Sequence, residues 1–162
     1  MQREPKDWLL VAYNAATKSP DLSTQNGAII VARDNVVLQA CNELPRNVKM
    51  KGERMERPLK YSYTEHAERN VIYEAARLGV STQGCTMYVP WFACADCARG
   101  IIQSGITKVV GHKQMMDGTP DHWKESIKAA FEMLEEAGVQ TELLDVVLNG
   151  PKVRFNGKWW QP

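Results

Sequence analysis

CTMYVPWFACADCARGIIQSGITKVVGH, residues 85–112, decides how this chain folds. It opens with an apolar run of strand-forming types (85–91). A stretch of helical spacing follows (94–105) and stops at Gly105, and a second strand-like run comes after it (107–112). Downstream the order repeats. DHWKESIKAAFEMLEEAGV (121–139) has an amphipathic helical repeat, with Asp121 as cap and Gly138 as stop, and QTELLDVVL (140–148) reads as a strand. Strand–helix–strand alternation predicts parallel pairing with helical crossovers.

Upstream, TEHAERNVIYEAARLG (64–79) reads as a helix with Thr64 as cap and Gly79 as stop, and KDWLLVAYNAATK (6–18) as another, started by Pro5. NGAIIVA (26–32) and NVVLQAC (35–41) are strand-like runs separated only by Arg33 and Asp34, which predicts a tight hairpin. The expected architecture is a single three-layer α/β/α domain over residues 1–162, with a mixed five-stranded sheet that starts with an antiparallel hairpin. A short strand is expected around 152–155, then a turn at Asn156 and Gly157, with Trp159 and Trp160 covering core or an interface.

Residues 43–63 show neither period. Arg46, Lys49, Lys51, Arg54, Arg57 and Lys60 there outnumber Glu43, Glu53 and Glu56. Such a stretch is either a solvated surface loop or a functional one.

The 162 residues carry 20 basic and 19 acidic side chains. This near balance argues against a polynucleotide as the main partner. The start, MQREPKDWLL, lacks the basic-then-apolar pattern of an export signal, and no apolar run is long enough to span a bilayer. A cytoplasmic location is expected. In that reducing compartment closely spaced cysteines point to metal or catalysis rather than to a disulfide. Of Cys41, Cys85, Cys94 and Cys97, only the last two are close in sequence, and the first two are expected to pack in the core.

Cys94 and Cys97 form a C-x-x-C at a predicted helix start, and His66-Ala67-Glu68 lies near the start of another. A catalytic zinc takes three protein ligands and keeps one position open. His66, Cys94 and Cys97 supply those three, for one Zn²⁺ per chain. Thiolates are favoured at helix N-termini. Glu68, two residues from His66, is placed to move protons. The Ala67 N–H is placed to hold a carbonyl of a base, and its small side chain leaves room for a flat ring. Together H-x-E and C-x-x-C form the signature of zinc nucleobase deaminases. A structural zinc in a non-catalytic assembly domain is the alternative reading.

With these motifs, NGAIIV, NELP (42–45), TEHAERN and YVPWFACADCARGIIQSGITKVV, the chain resembles the cytidine deaminase superfamily, and within it the deoxycytidylate (dCMP) deaminases. The resemblance implies hydrolytic deamination of a cytosine nucleotide, dCMP or a 5-substituted relative, to the uracil nucleotide, with release of ammonia. It implies a small-molecule nucleotide as partner, a homo-oligomer (hexamer or dimer), a sugar contact at Asn42, and Trp91 and Phe92 beside the base. Simple packing is the alternative for those two rings. A 5′-phosphate needs cations, for which Arg46, Arg54 and Lys60 are the candidates, with Lys113 as a further one. A deaminase of bases within RNA or DNA, like the tRNA adenosine deaminases, shares the zinc chemistry. The chain departs from the family in Ala93, where proline is usual, in Ala40-Cys41-Asn42-Glu43 in place of Gly-Tyr-Asn-Gly, and in a 43–63 stretch without Cys or His for a second zinc.

Overall fold

A computed structural model describes residues 3–32 and 37–162. In chain order the elements are α1 (Pro5–Ala16), β1 (Gly27–Val31), β2 (Val37–Cys41), a 3-10 turn (Gly52–Met55), α2 (Lys60–Tyr63), α3 (Ala67–Leu78), β3 (Thr86–Tyr88), α4 (Ala95–Gln103), β4 (Lys108–His112), α5 (Lys113–Asp117), α6 (Asp121–Glu136), β5 (Gln140–Leu144), β6 (Val153–Phe155) and β7 (Lys158–Trp160).

The five-stranded sheet has the order β2-β1-β3-β4-β5. β1 pairs antiparallel with β2 and β3, whereas β3–β4 and β4–β5 are parallel. The expected mixed sheet with an initial antiparallel pair is therefore present. The link at Arg33 and Asp34 lies outside the described residues.

Alternation along each strand sorts side chains onto two faces. Ala28, Ile30, Met87 and Val109 meet Ala67 and Val71 of α3, Cys97 and Ile101 of α4, and Ala130 and Leu134 of α6. Ile29, Tyr88 and Val110 point the other way, onto Ala12 of α1. Helices on both faces make three layers. On the α1 face the contact is close: a Cβ on Gly27 would stand 2.2 Å from the Ala12 carbonyl oxygen. Only glycine lets helix and strand backbones approach that far.

Several expected boundaries move. Helix α3 starts at Ala67 with His66 as its N-cap, so Thr64 is not the cap; it is the C-cap of α2. Pro120 rather than Asp121 caps α6. Residues 43–63 are not one irregular loop, because they fold into the 3-10 turn and α2. The strand expected over 85–91 stops at Tyr88, and Pro90 lacks the N–H a longer ladder would need. β6 and β7 form a separate two-stranded sheet around Asn156 and Gly157. Trp160 is half-buried and packs against Phe155 and His112, whereas Trp159 is exposed under the Arg154 guanidinium. Among the described residues no helix is long and apolar enough to cross a membrane.

One buried polar node ties the α1 face together. His112 Nε2 lies 2.9 Å from the Val146 carbonyl, which can only accept, so the proton sits on Nε2. Nδ1 then accepts from the Tyr13 hydroxyl at 2.6 Å, and that oxygen accepts from the Trp160 indole at 3.3 Å. The arrangement needs a neutral ring. Burial holds His112 below its ordinary 6.5, against the pull of the Val146 carbonyl and Asp145. The unfolded chain therefore binds a proton at a pH where the fold does not. This contribution is complete above about pH 6.5 and is lost as pH falls toward the folded value. Urea midpoints at about pH 7.5 and about pH 5.5 should show wild-type stability falling with acid, and His112→Gln should be less stable at the higher pH with a shallower fall.

Candidate active site

The N-termini of α3 and α4 bring His66, Cys94 and Cys97 together. His66 is the N-cap of α3 and Cys94 the N-cap of α4, and both backbones are extended, with φ −75° and −70°. Cys97 follows one turn later, where C-x-x-C spacing in a helix start turns both sulfurs the same way. His66 Nδ1 lies 3.5 Å from each sulfur, and the three ligand atoms all fall within 4.8 Å of one another. Ligand bonds of about 2.1 Å to nitrogen and about 2.3 Å to sulfur at a tetrahedral angle place N and S about 3.6 Å apart. The donor set and its spacing therefore fit a tetrahedral zinc ion. It is the one such group of His, Cys, Asp and Glu among the described residues.

The sulfurs share their proton unequally. A hydrogen bond from the Cys97 thiol, helped by His66, pulls Cys94 down to about 3, while that same bond and burial push Cys97 up. Arg69 Nη1 donates to Cys97 Sγ at 3.4 Å and approaches Cys94 Sγ at 4.0 Å. The guanidinium is fixed by Glu65, which accepts from Arg69 Nε at 2.6 Å and from the His66 N–H at 2.9 Å. Glu68 is 3% exposed. Burial pushes its carboxyl up, while the charges of His66 and Arg69 oppose that rise.

A cleft opens over this floor. Its lining includes Ala67, Asn42, Trp91, Phe92 and Lys60 with His66, Glu68 and Cys94. Seven of the residues expected from sequence thus surround one space with a ligand cysteine, and Cys97, outside the lining, is fully buried beside His66. Asn42 is committed to the backbone: its Oδ1 accepts from the Asn26 N–H and its Nδ2 donates to the Thr24 carbonyl, both at 2.8 Å. Trp91 stands edge-on to Trp123 at 6.0 Å, with its indole N–H on Thr119. Phe92 is largely core, packed on Phe131 at 5.0 Å.

The charge-based candidates need correction. Arg46 turns away to Glu74 on the outside of α3, with which it pairs at 2.9 Å. Arg54 donates to the Lys49 carbonyl and lies over the Tyr63 ring, and Lys113 pairs with Asp117. None of the three lines the cleft. Lys60 does, but it is buried against Asp21, at 2.8 and 3.1 Å from its two oxygens. Composition alone could not separate Arg46 from Lys60, because their partners Glu74 and Asp21 lie 28 and 39 positions away. Sequence reasoning missed Arg57, Asp21, Ser23 and Trp123, all of which line the cleft. Arg57 donates to the Ser23 hydroxyl at 3.3 Å, and Trp123 stands 5.8 Å from the His66 ring. The six-to-three charge excess of the 43–63 stretch was the one available signal for Arg57.

The family model described as the cytidine and deoxycytidylate deaminase zinc-binding region matches residues 2–113, which include this whole floor. The chain belongs to the cytidine and deoxycytidylate deaminase family. Deaminases of this family are hydrolases acting on a C–N bond. The chain is 38% identical over 139 residues to an uncharacterized deaminase in the luxG 3′ region of Aliivibrio fischeri, an alignment covering 86% of this chain and 92% of that one. It is 35% identical over 118 residues to the deoxycytidylate deaminase of Pongo abelii, covering 65% of this chain and 62% of that enzyme, so it spans less than two thirds of that relative. Among solved structures, apo dCMP deaminase from the cyanophage S-TIM5 superposes with a TM-score of 0.69 over 89% of this chain and 100% of that one at 21% identity, which establishes the shared fold.

Arg69 is the positive group that faces the sulfurs of this deaminase. Its replacement in Arg69→Leu should weaken zinc binding by His66, Cys94 and Cys97 about 10–100-fold, read by competition with a chromophoric chelator.

Proposed function

We propose that the protein hydrolytically deaminates a free cytosine nucleotide, dCMP or a 5-substituted dCMP, to the uracil nucleotide and ammonia, with one zinc ion on His66, Cys94 and Cys97. The observation that carries this reading is the Glu68 carboxyl, buried beside those ligands and facing the cleft. A buried carboxyl without a task is costly. Here it has a proton to carry. Zinc bound at this set supplies Lewis acidity that brings the pKa of water toward roughly 7.

Glu68 takes a proton from the attacking water and delivers it to ring N3 as the oxygen adds to C4. It then carries the proton of the new C4 hydroxyl to the amino group, so that the C–N bond breaks, ammonia leaves and the C4 carbonyl forms. The Ala67 N–H, at the first position of α3, is offered to the pyrimidine carbonyl. Trp91 and Trp123 wall the ring. At the polar end Arg57, bonded to a hydroxyl rather than to a carboxylate, is the cation available to a 5′-phosphate, while Lys60 is already neutralised by Asp21. The name of the Pongo abelii relative, deoxycytidylate deaminase, supports the monophosphate.

The test is turnover of dCMP, its 5-methyl and 5-hydroxymethyl forms, deoxycytidine, cytosine and a short RNA, read as ammonia release. A monophosphate should be the best substrate. Equal efficiency with deoxycytidine removes the phosphate from the proposal, and preference for RNA replaces it. Glu68→Gln should keep zinc and fold while losing at least about a hundredfold in kcat.

A further inference from the structure

The β6–β7 hairpin lies beyond the matched residues 2–113, yet it holds two walls of the cleft. Four hydrogen bonds join it to the segment before β1. The Gln25 N–H donates to the Arg154 carbonyl and the Arg154 N–H to Gln25 Oε1, each at 2.9 Å. The Asn156 N–H donates to Thr24 Oγ1 at 3.1 Å and the Gly157 N–H to the Ser23 carbonyl at 2.8 Å. Asn156 and Gly157 have φ of 50° and 77°, as a two-residue type I′ turn requires. Such a turn leaves its own N–H groups outside the ladder, and here both are spent on the loop. Ser23 and Thr24 line the cleft, as do Asp21 and Asn26 on either side. From the same hairpin Phe155 stands edge-on to Trp91 with ring centres 5.4 Å apart.

We propose that this hairpin is a positioning element for substrate binding, acting through the Asp21–Asn26 loop and Trp91, and that Gln25 and Phe155 are its positioning residues. The inference rests on reading the cleft as a pyrimidine nucleotide site. The metal-ligand set and Glu68 ride on α3 and α4 instead. The groups held by the hairpin carry no proton in the reaction, so they serve substrate and transition state alike. Loosening them raises KM and leaves kcat in place.

The experiment uses the full zinc-loaded chain and two substitutions outside the cleft lining, Gln25→Leu and Phe155→Leu. Each should raise KM for the best pyrimidine substrate about threefold to tenfold, the worth of roughly one hydrogen bond for Gln25 and one aromatic edge contact for Phe155, with kcat within about twofold and zinc content unchanged. In parallel, amide exchange at residues 23–26 should quicken in Gln25→Leu while α3 and α4 keep wild-type protection. An unchanged KM overturns the proposal, as does a fall in kcat at constant KM, or a loss of melting temperature and zinc together without the KM effect. If no pyrimidine is turned over by the wild type, the nucleotide reading fails by itself. The exchange arm still decides the hairpin's hold on the loop: quickening confined to 23–26 supports it and wild-type protection there overturns it.

Discussion

Two sulfurs prepared for a metal cannot sit side by side in a protein interior unless positive charge faces them. Much of this structure follows from meeting that condition. The first turns of α3 and α4 bring their positive dipole ends to the ligand atoms, and Arg69 adds a full charge held still by Glu65. For two helix starts to converge, the strands before them must end near the same edge of the sheet. β2, the strand before α3, and β3, the strand before α4, both pair antiparallel with β1, so they run the same way and end at the same edge. The ligand triad is thus a property of the topology as much as of three residue types.

The cleft above obeys a different rule. Its walls come from segments scattered along the chain: Asp21 meets Lys60 across 39 positions, and Asn26 meets Trp91 across 65. Buried polar groups here are paired almost completely with one another. Asn42 spends both ends of its amide on backbone, and Asp21 accepts from the Ser23 and Thr24 N–H groups as well as from Lys60. A loop so tied is already shaped for a ligand, and little ordering is left to be done when one arrives.

This contrast explains what could be read in the amino-acid order. The sheet was legible because β-branched runs such as Ala28-Ile29-Ile30-Val31 and Lys108-Val109-Val110 are local signals, and the ligands were legible because H-x-E and C-x-x-C are local spacings. Ends were less so. Thr64 has the chemistry of a cap, but the chain stays extended through His66, with Glu65 bridged to Glu43. The basic stretch showed charge without direction: Arg46 found Glu74, Lys60 found Asp21, and Arg57 was left beside the cleft. Trp123, the ring nearest His66 across the opening, carried no local mark at all, because its role arises only when α6 packs against α4.

The tie between Thr24 and Asn156 spans 132 positions. In a chain made from its N-terminus, the imidazole and both thiols emerge well before the turn that braces the loop. The order of synthesis therefore presents the three ligand residues first and the brace of the loop above them about sixty positions later, so the wall of the cleft waits on a part of the chain that its floor does not contain.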